Sequence, residues 1–158
     1  MAAQLWLLRH GEAEPHDARP DPERRLTERG EDQARAAGRA FAALGIVFQA
    51  VYTSPKVRAA ETARLACEVL GCTPIEHPPL TDGFDARDAL ELLRSCGDDE
   101  RILVVGHNPD LAQVVHDLTG AHADLKKGGV AGIRSAGTEH DLIVLIRPRE
   151  LDRIAGTP

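Results

Sequence analysis

The sequence predicts an α/β fold: a three-layer α/β/α sandwich with a mostly parallel central sheet and an antiparallel strand pair at one edge. Three observations lead there. Residues 5–8 and 102–105 are apolar runs too short to span a bilayer and apolar on both faces, as buried parallel strands are. Strand-like runs alternate with stretches whose apolar residues recur at helical spacing. The last two strand-like runs, by contrast, follow one another with no helix between them. The 158 residues match the usual size of one domain, and no repeat, linker or composition shift divides them, so residues 1–158 are expected to form one unit.

The first strand, Leu5-Trp6-Leu7-Leu8, stops abruptly at Arg9-His10-Gly11. In open α/β sheets the carboxyl ends of strands are where loops present reactive groups, so a cation, an imidazole and a glycine arrive together at such an end. Residues 12–25 are polar and carry Pro15, Pro20 and Pro22; they predict an active-site rim or a disordered loop. Thr27 reads as the N-cap of a helix reaching about Leu44, with Ala34, Ala37, Phe41 and Leu44 inward, a Glu31/Arg35 pair on another face and Gly45 at its end.

Ala50 to Thr53 is the second strand. Ser54-Pro55 then reads as a capping residue with proline at the first helical position, opening a helix to Leu70 that turns Ala59, Ala63, Ala66 and Leu70 inward and stops at Gly71. Residues 72–85 are irregular, with Pro74, Pro78, Pro79 and Gly83, and leave room for a short edge strand near Ile75. A third helix covers residues 86–95, with Ala86, Ala89, Leu90 and Leu93 inward. The strand at 102–105 ends in Gly106-His107-Asn108-Pro109, where Asn108 reads as a cap and Pro109 as the start of a helix burying Leu111, Val114, Val115 and Leu118. The glycine-rich stretch 126–134 leads into the next strand, and residues 140–146 form the last.

Composition excludes several classes. A net charge of −6 lacks the basic signature of a nucleic-acid binder, though it leaves room for a local basic pocket. Cys67, Cys72 and Cys96 form no CxxC pair and cannot all pair with one another, which fits reduced thiols, small buried hydrophobes and a cytoplasmic setting. The apolar run near the N-terminus lacks a basic lead and meets Arg9 too early for a signal peptide, and no stretch is long enough to cross a membrane.

Two predicted strands thus end in histidine, and a third ends in Thr53-Ser54-Pro55 with Arg58 just beyond. If these strands are parallel neighbours, His10, His107, Arg9 and Arg58 converge on one rim, where helix N-termini add positive potential. Such a pocket suits a tetrahedral dianion such as phosphate. A neutral imidazole is a good nucleophile near pH 7, and arginine's planar fork suits the equatorial oxygens of a transferring phosphoryl group. Gly11 lets the backbone pass close to the imidazole and offers a carbonyl to fix its tautomer. A metal site built on the two histidines with Glu12 or Asp110 is disfavoured, because the arginines would repel a divalent cation. Taken alone, Arg58 and Glu61 would read as an ordinary surface pair.

Arg9-His10-Gly11, Ser54-Pro55-x-x-Arg58-Ala59-x-Glu61-Thr62 and Gly106-His107-Asn108-Pro109, in this order and spacing, resemble the histidine phosphatase superfamily. The short chain and Leu26-Thr27-x-x-Gly30 are most similar to its small SixA-type protein phosphohistidine phosphatases. The resemblance implies the phosphoglycerate mutase-like sandwich and His10 as phosphorylated nucleophile. It also implies a phosphate pocket of Arg9, Arg58 and His107, with no cofactor and no metal. Gly11 and Asn108, within the same motifs, are expected at the substrate. Arg24, by its position before Leu26-Thr27, is expected to add a phosphate contact, although this chain carries Arg25 where that branch often has proline.

Larger members of the superfamily carry an acidic proton donor on an inserted segment, and here that region is only residues 72–85. Asp82 and Glu12 are the candidates, Asp82 reading equally as a turn residue before Gly83. An alkyl alcohol needs a proton to leave, whereas the imidazole of phosphohistidine protonates near neutrality. The expected function is therefore hydrolysis of the N–P bond of phosphohistidine on a protein, with phosphate ion bound in the pocket and no nucleic-acid or membrane partner; the family resemblance implies phosphotransfer proteins of a signal-transduction relay or a sugar-uptake system as the substrates. The alternatives are a small-molecule phosphomonoesterase of the same fold and a non-catalytic phosphohistidine-binding module.

Overall fold

The computed structural model describes residues 2–156, which build one six-stranded sheet between two helical layers. Strands β1 (Ala2–Arg9), β2 (Ala50–Thr53), β3 (Ile75–Glu76), β4 (Arg101–Gly106), β5 (Val130–Ala136) and β6 (Glu139–Ile146) lie in the order β3-β2-β4-β1-β5-β6. The first four of that row run parallel; β5 runs antiparallel to β1, and β6 antiparallel to β5. The expected sandwich is present, with the antiparallel pair at the β1 side.

Alternation along β1 assigns the two faces. Leu5 and Leu7 pack with Ile102 and Val104 against α3 (Ala86–Leu93) and α4 (Asp110–Thr119). Trp6 and Leu8 pack with Leu103 and Val105 against α1 (Glu28–Ala43) and α2 (Val57–Leu70). A fifth helix, α5 (Pro148–Ala155), adds Leu151 to this second core. The second core also holds an edge-to-face aromatic cluster of Trp6, Phe41 and Phe48, with ring centroids 5.0–6.2 Å apart. Such pairs add about 0.5–1.5 kcal/mol each beyond the area they bury.

Several boundaries differ from expectation. Thr27 does cap α1, its Oγ1 accepting from the Gly30 amide at 3.1 Å, but Leu44 at the far end is 49 % exposed rather than inward. Helix α2 starts at Val57 after Lys56, not at Ser54-Pro55. Ser54 is held instead by its neighbours, accepting from the Lys56 amide at 3.2 Å and lying 2.8 Å from the His107 ring. Likewise α4 starts at Asp110, one residue later than Pro109 as first helical residue requires, while Asn108 Oδ1 still accepts from the Ala112 amide. Helix α3 ends at Leu93 and buries Leu92 as well; Asp85 opens it with a reciprocal capping box to Asp88.

Helix α5 has no counterpart in the sequence reading, which ended at residue 146. Its signals are Pro148 at the first helical position and Leu151 and Ile154 three apart, one turn too few to carry a pattern. The loop 12–25 is ordered, not disordered: Ala13 pairs with Leu26, Glu14 N donates to Arg25 O, and a 3-10 turn at Asp21–Glu23 closes it. Cys67 is buried and Cys72 exposed, their Sγ atoms 2.9 Å apart where α2 ends at the left-handed Gly71.

Candidate active site

Strand register makes the site. β1 pairs with β4 up to Arg9 opposite Gly106, and β2 pairs with β4 up to Thr53 opposite Val105. The next residues, His10, Ser54 and His107, therefore leave the sheet side by side. His10 N donates to Gly106 O at 3.1 Å, and Ser54 N to Val105 O at 3.0 Å, extending the ladders to the last possible residue. The His10 and His107 ring centroids stand 5.2 Å apart at 56°, and both side chains are buried.

His10 is fixed by backbone. Its Nδ1 lies 2.7 Å from Gly11 O; a carbonyl only accepts, so Nδ1 carries the proton and Nε2 keeps its lone pair. Gly11 is held in turn, its amide donating to Thr62 Oγ1 at 3.1 Å, and Thr62 donates to Arg58 O at 2.7 Å. A Cβ on Gly11 would lie 2.5 Å from Gly30 O, so only glycine lets β1 and the start of α1 approach this closely. Burial, reinforced by His107, Arg58 and Arg9, lowers the His10 pKa from 6.5 to about 3, against the opposing Gly11 hydrogen bond. His107 falls to about 4, through burial first and then Arg58 and Lys56. Both rings are neutral at pH 7.

The two arginines are mounted alike. Arg9 Nη1 donates to Leu125 O at 3.0 Å, and Arg58 Nη1 to Asp21 O at 2.8 Å. In each case Nε is buried and has no hydrogen-bond partner among the described residues, and the same holds for His107 Nδ1. Leaving such a group unsatisfied costs about 1–3 kcal/mol, so three of them on one rim mark a place built for an external partner rich in oxygen. Burial lowers the pKa of both guanidiniums, which nevertheless remain cationic. Two neutral imidazoles and two arginines suit a tetrahedral anion. Among the described residues no group of three His, Cys, Asp or Glu is placed to hold a metal ion.

Other expected residues take supporting places. Arg24 is buried but turned to the loop, with Nε on Asp21 Oδ1 at 3.1 Å and Nη1 on Glu14 O at 2.7 Å. Asn108 donates to the same Leu125 carbonyl that receives Arg9 and caps α4 with its oxygen, so it steadies the arginine's anchor. Glu12 is pinned, its amide donating to Gln33 Oε1 and its carboxylate accepting from Thr27 Oγ1, both at 2.8 Å. The Asp82 side chain is 82 % exposed and pairs with Lys56 Nζ at 3.0 Å. Arg58 pairs with Asp21 rather than Glu61, which binds Arg64.

Sequence reasoning assigns no role to Asp21, Lys56 or Thr62, the last of which it quotes only within a motif. Asp21 sits among Arg24, Lys56 and Arg58 at 3.0–3.3 Å. Burial pushes its carboxyl up, but these cations outweigh that and hold it well below the usual carboxylate range. Arg24 is a local partner, but Lys56 and Arg58 lie at the start of α2 and reach Asp21 only through folding. Thr62 was findable: it stands four residues after Arg58, the spacing at which a hydroxyl reaches back to a helix carbonyl.

Residues 5–83 match the family model of the histidine phosphatase superfamily, branch 1. The chain is 32 % identical over 166 aligned positions to an uncharacterised protein of Picosynechococcus, covering 94 % of this chain and 98 % of that one. It is 44 % identical over 77 residues to a 2,3-bisphosphoglycerate-dependent phosphoglycerate mutase of Parvibaculum lavamentivorans, which covers 46 % of this chain and 36 % of the mutase. Among solved structures, the protein histidine phosphatase SixA complexed with tungstate superposes with a TM-score of 0.83 at 22 % identity, covering 94 % of this chain and 99 % of the other. That likeness is one of fold.

Proposed function

The chain belongs to the histidine phosphatase superfamily, and from that premise we propose that it is a metal-independent phosphatase acting on phosphohistidine in a protein through a covalent phospho-His10 intermediate. The observation that carries this reading is the fixed tautomer of His10: Nδ1 is committed to Gly11 O, and the ring is neutral with Nε2 unprotonated. His10 Nε2 attacks phosphorus, the substrate N–P bond breaks, and the departing imidazole takes a proton from water. The hydroxide left from that water then attacks the phospho-His10 phosphorus, the His10 Nε2–P bond breaks, and phosphate departs as the ring is restored. Arg9, Arg58 and His107 hold the equatorial oxygens, their unpartnered Nε–H and Nδ1–H groups donating to them.

The N–P substrate is favoured by what surrounds the rings. Glu12 is pinned to Thr27, and the Asp82 side chain is solvent-exposed and turned to Lys56. Neither is poised to protonate an alkoxide leaving group, whereas an imidazole leaves without such help. The structural neighbour named as a protein histidine phosphatase, spanning nearly the whole chain, agrees with this choice. The sequence likeness to phosphoglycerate mutases supports the alternative, a phosphomonoesterase on small molecules, but covers under half of this chain.

The deciding experiment measures hydrolysis of a phosphohistidine peptide, phosphoserine and p-nitrophenyl phosphate by wild type and His10→Ala, with chelator present throughout. Turnover of the phosphohistidine peptide by wild type alone, well above either ester, is expected. Preference for the esters would transfer the reading to the phosphomonoesterase. Saturable binding with no turnover would leave a binding module.

A further inference from the structure

Arg9 borders a second region. A cavity of about 470 Å³ lined by Arg9, Glu12, Arg29 and Lys127 adjoins one of about 610 Å³ that reaches Arg149 on α5, and the two share Arg29, Gln33, Lys126 and Pro148. Together they form a groove leading away from the phosphate site between α1 and α5. Seven of the chain's 19 Lys and Arg line it, against three of its 25 Asp and Glu, in a protein of net charge −6. Lys126 is paired with Asp124, and Arg147 with Glu150; Arg29 and Lys127 make no ion pair among the described residues.

The groove is tied to the reactive end of β1 by backbone. Gly128 N donates to both Arg9 O and His10 O at 3.0 Å, and Arg9 N to Gly129 O at 3.1 Å, so the turn bearing Lys126 and Lys127 is hooked onto the nucleophile's own peptide units. Arg29 precedes Gly30, which packs closely against the backbone of Gly11 and Glu12. These cations therefore hold a set position relative to His10.

We propose that this groove docks an acidic segment flanking the phosphorylated residue of the protein substrate. The proposal rests on the phosphohistidine-protein reading and adds the chemistry by which the partner is recognised. Among the described residues its walls contain no aromatic side chain for stacking bases and Pro148 as the one apolar residue, which disfavours single-stranded nucleic acid and membrane insertion. The net negative charge repels acidic partners in general, so attraction at this one groove selects the orientation that brings the phosphoryl group to His10.

The test uses two phosphohistidine peptides of equal length, one flanked by Asp and Glu, the other by Asn and Gln, at low and high salt. Wild type is expected to show about 10-fold higher kcat/KM on the acidic peptide, the difference collapsing by about 0.5 M salt. Arg29→Glu/Lys127→Glu is expected to erase the preference while leaving the neutral peptide's turnover within about twofold. Equal rates in wild type, a preference that survives in the variant, or equal loss on both peptides would overturn the proposal. If neither peptide is turned over, the phosphohistidine reading fails. The groove is then judged by fluorescence anisotropy of the unphosphorylated peptides: tighter acidic binding, lost in the variant, supports it, and equal binding overturns it. Tighter binding of polyuridine RNA or phosphatidylserine vesicles than of the acidic peptide would overturn the choice of partner.

Discussion

His10 and His107 leave adjacent parallel strands at the same level, yet the protein holds them by different means. His10 is gripped through backbone: its Nδ1 meets a carbonyl, and the glycine supplying that carbonyl is wedged against Gly30 and tied to Thr62. His107 is gripped through one hydroxyl, Ser54 Oγ, 2.8 Å from Nε2, and its Nδ1 has no partner among the described residues. A hydroxyl donates or accepts, so His107 retains a choice of tautomer that the carbonyl denies to His10. A nucleophile needs one tautomer and one direction; a group that receives a changing phosphoryl oxygen gains from being able to adjust. The difference in mounting thus parallels the difference in proposed role.

Replacing the two rings should break this comparison most visibly. His10→Ala is expected to lower kcat/KM by about 10⁴-fold or more and to abolish acid-labile, base-stable phosphoenzyme in a rapid-quench experiment. His107→Ala should cost about 10²–10³-fold while phosphoenzyme still forms slowly, as for loss of one oxyanion contact. Equal losses, with phosphoenzyme absent from both, would contradict the division of labour.

Acid titration sharpens it. Both rings have folded pKa values depressed from 6.5, to about 3 for His10 and about 4 for His107. Between those values and 6.5 the unfolded chain binds more protons, so their contribution is full above about pH 6.5 and drains as pH falls toward 4 and then 3. Urea melts across pH 7 to 4 should therefore show falling stability, with a shallower slope in His107→Ala and a shallower one still in His10→Ala. The smallest effect is expected from Ser54→Ala, which removes the hydroxyl that holds the His107 ring: about 3–10-fold in kcat/KM, with phosphoenzyme formation retained.

Much of this arrangement was legible. The strands at 5–8 and 102–105 announce themselves because both faces are buried and apolar, and the histidine after each gains meaning from its match in the other. Helix starts were less legible, since Ser54 looks like a cap while its hydroxyl serves a histidine 53 residues away. Asp21 was invisible because its meaning lies in Arg58 and Lys56, brought to it only by folding. The edge was legible for β5 and β6 but not for α5, whose apolar face is two residues wide. Short helices of that kind are held by docking, and their own pattern carries little.

The loop between Gly11 and Gly30 is shut at its neck: Ala13 bridges Leu26, Thr27 N donates to Glu12 O, and the two glycines touch. The ring it closes projects Asp21 and Arg24 toward Arg58, while the neck alone bears on His10. Because the neck is self-sufficient, the span from residue 15 to residue 20 can change in length and composition at a small loop-closure cost and leave the nucleophile's setting intact. The loop is in that sense an exchangeable module, offering protein engineers a site for grafting new recognition sequences and lineages a place to diverge.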